Sequence, residues 1–225
     1  MSTSQPAEIE LFAFDWVPNI AKGHVRDLRA RWAMEEAGIP YRSNLIKVAD
    51  KPADFQGYQP FRQVPAIVDN GVRVFESGAI LLHLGRKSEA LLPRDAAGRA
   101  AAESWLMAAF NSVETFAFEI YFIHIFSAGE EWTALREPSA TRFMKSRLAP
   151  VSEALGEKDY LTGRFTIADI AMATVFRDLD RHLPLKEWPN LEAYLKRCTE
   201  RPAFERALAS QIADFTGERP EGFPA

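Results

Sequence analysis

What most limits the fold of this chain is where its strand patterns stop. Every convincing strand reading lies before Ser77, and none follows Asp95. The segment Ile9 to Phe14 alternates and then turns wholly apolar, as a buried strand does. A loop from Asp15 to Gly23 leads into Val25, Leu28, Trp32 and Ala33 at helical spacing, with Arg26, Arg29, Arg31, Glu35 and Glu36 elsewhere on that helix. Gly38-Ile39-Pro40 stops it, because Gly suits the position after a helix and Pro cannot continue one. Tyr41 to Val48 reads as a second strand, and strand-helix-strand connectivity makes the two strands parallel. Val64 to Val68 and Val72 to Phe75 flank Asp69-Asn70-Gly71, a hairpin turn, since Asn and Gly accept positive φ. Ser77 to Arg86 is helical, with Ile80, Leu81 and Leu84 on one face. Residues 8–87 are therefore expected to form a βαβ-ββα domain with a mixed four-stranded sheet.

Leu91 to Asp95 reads as a short linker, and residues 95–215 as an all-α helical bundle domain. Its helical patterns run Ala96 to Ser127, Trp132 to Leu155, Thr166 to Leu183, Leu191 to Arg201 and Pro202 to Phe215. Gly129, Gly156, Gly163, Pro184, Pro189 and Pro202 punctuate them. The Pro/Gly-rich tail after Gly217 is expected to be irregular.

Composition removes several functions. The 225 residues carry a formal net charge of -4 with no basic block, a poor match to a nucleic-acid partner. The single cysteine, Cys198, allows no internal disulfide and no cysteine-only metal cluster, and no metal is expected. Met1 to Glu10 is polar without a signal pattern, and no uninterrupted apolar run reaches the ~20 residues of a bilayer span. The expectation is a cytoplasmic protein without a membrane partner.

Three features could carry chemistry. Val64-Pro65 opens a strand, where a residue lacking an N–H belongs. Spacing alone favours a trans bond, since only about 5% of X–Pro bonds are cis. A cis bond would turn the Val64 main chain outward, ready to pair with an extended peptide. Glu76-Ser77 reads either as an ordinary cap beside a solvated Glu or as an anion site. In the second case first-turn N–H groups hold a carboxylate and Glu76 accepts from an ammonium. Thr166 and Asp169 have capping-box spacing, with Phe165 and Ile170 at staple positions, and read as structural.

Four pieces in order resemble the glutathione transferase superfamily: Gln63 to Ile67, Phe75 to Leu84, Leu92-Pro93 and Leu161 to Asp169. The resemblance spans residues 9–208. It implies a thioredoxin-like N-terminal domain that binds glutathione as co-substrate, with Pro65 in the cis form. Val64 would pair through its main chain with the cysteinyl unit, Glu76 and Ser77 would hold the γ-glutamyl end, and Gln63 would lie beside the tripeptide. It also implies a homodimer and a small apolar electrophile as second substrate. Trp105, Phe110, Phe116, Phe118, Tyr121, Phe122 and Phe126 could meet that substrate, although aromatic stripes on bundle helices are more often core.

The chain departs from the family at the reactive end. A Tyr, Ser or Cys commonly follows the first strand there to stabilise the glutathione thiolate, yet Phe14 to Arg26 contains none. The chemistry needs a donor near a thiol whose free pKa is about 8.5. Asn19 is the first candidate, placed where the first helix could begin. Trp16 offers an indole N–H, and His24 and Lys22 offer positive charge; each is otherwise an ordinary loop residue. Cys198 reads as a partly buried thiol. Conjugation, glutathione-dependent disulfide reduction or isomerisation, and non-catalytic binding all stay open.

Overall fold

The computed structural model describes residues 9–223. The expected domain start at residue 8 and the tail residues Pro224 and Ala225 lie outside the described residues. The chain divides into two compact units, one made of residues up to Leu91 together with those from Pro202 onward, the other of Leu92–Arg201.

The first unit holds a four-stranded sheet in the order β2-β1-β3-β4. Its strands are β1 (Ile9–Phe14), β2 (Tyr41–Ile46), β3 (Ala66–Asp69) and β4 (Val72–Phe75). β1 runs parallel to β2 and antiparallel to β3, and β3 runs antiparallel to β4. This is the mixed sheet expected from βαβ followed by a hairpin. Asn70 and Gly71 take φ of 50° and 82°, as the turn requires. β2 stops at Ile46 rather than Val48 because its ladder partner, β1, ends at Phe14. β3 starts at Ala66 rather than Val64, after the residue that cannot donate to a ladder.

Alternation sends Leu11 and Phe12 to opposite faces, and both are buried. One face is covered by α1 (Asp27–Ala37) and α2 (Ser77–Lys87). On the other, Phe12, Ile46, Phe55, Val64 and Ala66 form a cluster, with Tyr58 against it. Phe55 comes from a short 3₁₀ turn, Ala53–Gly57, in the connection between β2 and β3.

α1 differs from its sequence pattern. Arg29 and Arg31 are buried, at 2% and 0% exposure, although the sequence reading set both apart from the apolar positions. For Arg31 the reason is α8 (Pro202–Asp214), the last helix, which packs along α1 and accepts from its guanidinium, whereas Arg29 reaches Ser77 of α2. Phe204 meets the Trp32 ring edge-on at 4.8 Å between centroids. By packing, α8 thus belongs with the sheet, and the second unit ends one helix earlier than residue 215.

The second unit contains α3 (Ala96–Ala108), α4 (Thr115–Tyr121), α5 (Glu131–Leu155), α6 (Ile167–Leu179) and α7 (Pro189–Thr199). α3 and α4 are one continuous helix, Ala96–Phe126, passing through π turns at Ala109–Glu114 and Phe122–Phe126. By length, and by a mean hydropathy of 1.2 over an 18-residue window, this helix is apolar enough to cross a membrane, although Glu103, Glu114 and Glu119 interrupt its apolar runs. Here Ala102, Leu106, Ala109, Val113, Ala117 and Ile120 form a buried stripe at helical spacing, which is the pattern of a core helix. α6 is buried nearly all round, as the centre of a bundle must be. Its first turn carries the expected capping box: Asp169 accepts the Thr166 N–H at 2.8 Å, and Thr166 accepts the Ala168 N–H.

Candidate functional site

The sheet register gathers the candidate residues at one end of the first unit. Phe12 stands opposite Ala66, and Ala66 opposite Phe75. The exit from β1, the approach to β3 and the exit from β4 are therefore neighbours. Asp15 to Arg26 leaves the first, Gln63 to Pro65 forms the second, and Glu76-Ser77 leaves the third.

The Val64–Pro65 peptide is cis. The Val64 side chain is buried in the cluster with Phe12 and Phe55, while its N–H and C=O make no hydrogen bond among the described residues. An anchored side chain with an unpaired main chain is the arrangement an added strand needs. Just upstream, buried Gln59 organises the loop. Its side-chain oxygen accepts the Gln63 N–H at 3.2 Å, and its carbonyl accepts the Arg62 N–H at 2.9 Å. Gln63 itself is exposed.

At the third exit, Glu76 has φ 67° and ψ 123°, a conformation that L residues rarely adopt. Such a backbone costs on the order of 1–3 kcal/mol and persists where the surroundings enforce it. The turn leaves the Glu76 carboxylate exposed and buries Ser77. Ser77 opens α2, so the unpaired N–H groups of its first turn point out beside that carboxylate. Arg29 Nη1 donates to Ser77 Oγ at 3.2 Å from within the core.

The segment after β1 brings the remaining candidates to the same end. Asn19 lies in a 3₁₀ turn, Asn19–Ala21, and is exposed; its amide has no hydrogen-bond partner among the described residues. It does not open the first helix, which starts at Asp27, because Gly23 at φ 79° turns the chain in between. His24 is half-buried, its N–H bonded to the Ala21 carbonyl. Trp16 is buried, with its ring edge-on to Phe223 of the tail at 6.0 Å, and the Gly217 N–H donates to the Asp15 carbonyl. Lys51, from the β2–β3 connection, places its ammonium 5.5 Å over the Phe14 ring. Arg29, Gln59 and Lys51 carry no motif in the sequence. Only the apolar residues surrounding Arg29 on its helix hint that it is buried.

Cys198 is distant in chemistry from this end. It is fully buried in α7, and burial, with the Asp169 carboxylate, pushes its thiol well above the ordinary range. A thiol so protonated is a poor nucleophile. Among the described residues no group of three or more His, Cys, Asp or Glu side chains is placed to hold a metal.

The comparisons match both halves of the chain to one family. Residues 20–86 match the model of the glutathione S-transferase N-terminal domain, and residues 122–202 that of the C-terminal domain. An uncharacterized GST-like protein of Streptococcus mutans is 30% identical over 69% of this chain and 64% of its own length. The disulfide-bond oxidoreductase YghU of Escherichia coli is 27% identical over 77% of this chain and 65% of its own. The chain thus spans just under two thirds of each of these relatives. A glutathione transferase from Burkholderia graminis, solved with two glutathione molecules bound per subunit, superposes with a TM-score of 0.79 at 25% identity, covering 90% of this chain and 88% of that one. Matched in both halves and alike in fold, the chain belongs to the glutathione S-transferase family.

Proposed function

We propose that this protein binds glutathione at the sheet end described above and transfers its thiolate to an electrophilic apolar substrate. The observation that carries the reading is the unpaired Val64 main chain beside the start of α2. The tripeptide lies along Val64-Pro65 as an added strand, its cysteinyl N–H and C=O pairing with Val64. Ser77 and the first-turn N–H groups of α2 hold the γ-glutamyl carboxylate, Glu76 accepts from its ammonium, and Gln63 flanks the peptide. Lys51, over the Phe14 ring at the exit from β1, is suited to the glycyl carboxylate.

The thiol then faces the segment that leaves β1. An Asn19 amide N–H donated to sulfur favours the thiolate, and thiolate attack forms the new carbon–sulfur bond. Trp16, with its buried ring, and His24 shape the segment that presents Asn19. As in the expectation from sequence, the protein is taken as a homodimer, which sedimentation velocity checks.

A second reading has support from the comparisons. One relative is named a disulfide-bond oxidoreductase, and a structural neighbour holds two glutathione molecules. In that reading the bound thiolate attacks a disulfide of glutathione, and a thiolate leaves.

Calorimetry with glutathione, then turnover with a generic electrophile and with a glutathione mixed disulfide, separates these readings. Binding with conjugation supports the first, and binding with disulfide turnover alone supports the second. An absence of glutathione binding removes both. Asn19→Ala is expected to move the alkaline rise of the pH–rate profile upward, and an unmoved profile removes Asn19 from the chemistry.

A further inference from the structure

The Ser77 hydroxyl at the candidate site is met from within the core by a guanidinium of another helix. Arg29 sits on α1, 2% exposed, and reaches across 48 residues of chain to Ser77, itself 5% exposed. A hydroxyl has one proton to give and two lone pairs, whereas a guanidinium can only donate. The 3.2 Å contact therefore occupies a lone pair of Ser77 and leaves its proton for something else. Among the described residues that proton has no acceptor. It sits at the first turn of α2, where backbone N–H groups also lack acceptors.

We propose that Arg29 is a positioning residue: it commits the Ser77 hydroxyl to donate outward, to the γ-glutamyl carboxylate of bound glutathione. Arg29 does not touch the ligand, being walled off in the core, and acts through Ser77. The inference rests on the glutathione reading above and adds to it the group that gives Ser77 its direction.

The test uses the full chain and two ligands, glutathione and the analogue amidated at its γ-glutamyl α-carboxyl. Arg29→Met is expected to weaken glutathione about 10–100-fold by calorimetry, the size of a hydrogen bond to a charged group, and to leave the analogue's affinity unchanged. Arg29→Lys, which keeps the charge but not the fork, is expected to recover part of the loss and carries the test if the Met variant fails to fold. In a Ser77→Ala background Arg29→Met should add little, since the two act as one unit. Equal weakening of both ligands, or additive losses in the double variant, would overturn the assignment of Arg29 while leaving glutathione binding intact. Wild-type protein that binds neither ligand overturns the functional reading itself.

Discussion

Asp69 shows how neighbours decide the chemistry of a single side chain. In the sequence it is the first residue of a hairpin turn. In the structure its buried carboxylate accepts from Asn70 Nδ2 at 2.8 Å, from His83 Nε2 at 2.6 Å and from the Lys87 ammonium. Burial alone would raise its pKa; Lys87 and His83 outweigh that and hold it below the ordinary value of 3.8. A carboxyl depressed by folding stabilises the protein above its unfolded pKa, and that contribution is lost as pH falls through the folded one. Asp69→Asn is therefore expected to cost about 1–3 kcal/mol at pH 7. The gap between wild type and variant should begin to narrow below about pH 4 and close only once pH passes below the lowered native pKa, as followed by urea unfolding across pH. A gap that persists in acid would mean that Asp69 acts through shape and not charge. Ser77 makes the same point at the candidate site, where its direction is set by an arginine that no local pattern connects to it.

At the scale of elements, α6 depends on how it starts. Asp169 accepts from the Thr166 N–H and hydroxyl, from the Leu161 N–H and from the Tyr194 hydroxyl, all at 2.8–3.1 Å. One carboxylate thus satisfies the helix entry, the preceding loop and α7 together. Thr166→Ala is expected to cost about 1 kcal/mol, the ordinary value for a lost cap. Asp169→Ala removes four partners, leaves buried donors unmatched and should cost at least twice as much. Thermal unfolding of the two variants checks the order, and equal losses would contradict the shared role of Asp169. The capping box was readable in the sequence because its spacing is local. That Asp169 also binds Tyr194 was not, since 25 residues separate them.

At the scale of the molecule, the first unit is closed by a segment from the far end of the chain. Arg31 donates to Asp27 Oδ2 at 2.8 Å, to Asp214 Oδ2 at 2.6 Å and to Ser210 Oγ at 2.9 Å, and Gln211 Nε2 donates to Asp27 Oδ1 at 2.7 Å. This buried network fastens α8 to α1 beside the Trp32–Phe204 contact. Removing one partner of a buried pair leaves an unmatched charge, so Arg31→Met should cost about 3–5 kcal/mol. Arg31→Met with Asp27→Leu should recover most of it. Equilibrium unfolding of the single and double variants decides between them, and a double variant as unstable as the single one would refute the network as the source.

The sequence by itself determined whatever depends on near neighbours. Strand and helix periodicity, the Asn70-Gly71 turn, the Thr166 cap and the end of the strand patterns before Ser77 are all local preferences of the backbone. They placed Val64, Pro65, Glu76 and Ser77 at element ends, and the antiparallel pairing of β3 and β4 brought those ends together. Only the tertiary structure decided which polar groups would be buried and with whom. Arg29, Gln59 and the Arg31 network meet partners across gaps in the chain that periodicity cannot span. Their cost in desolvation is offset only when those distant partners arrive.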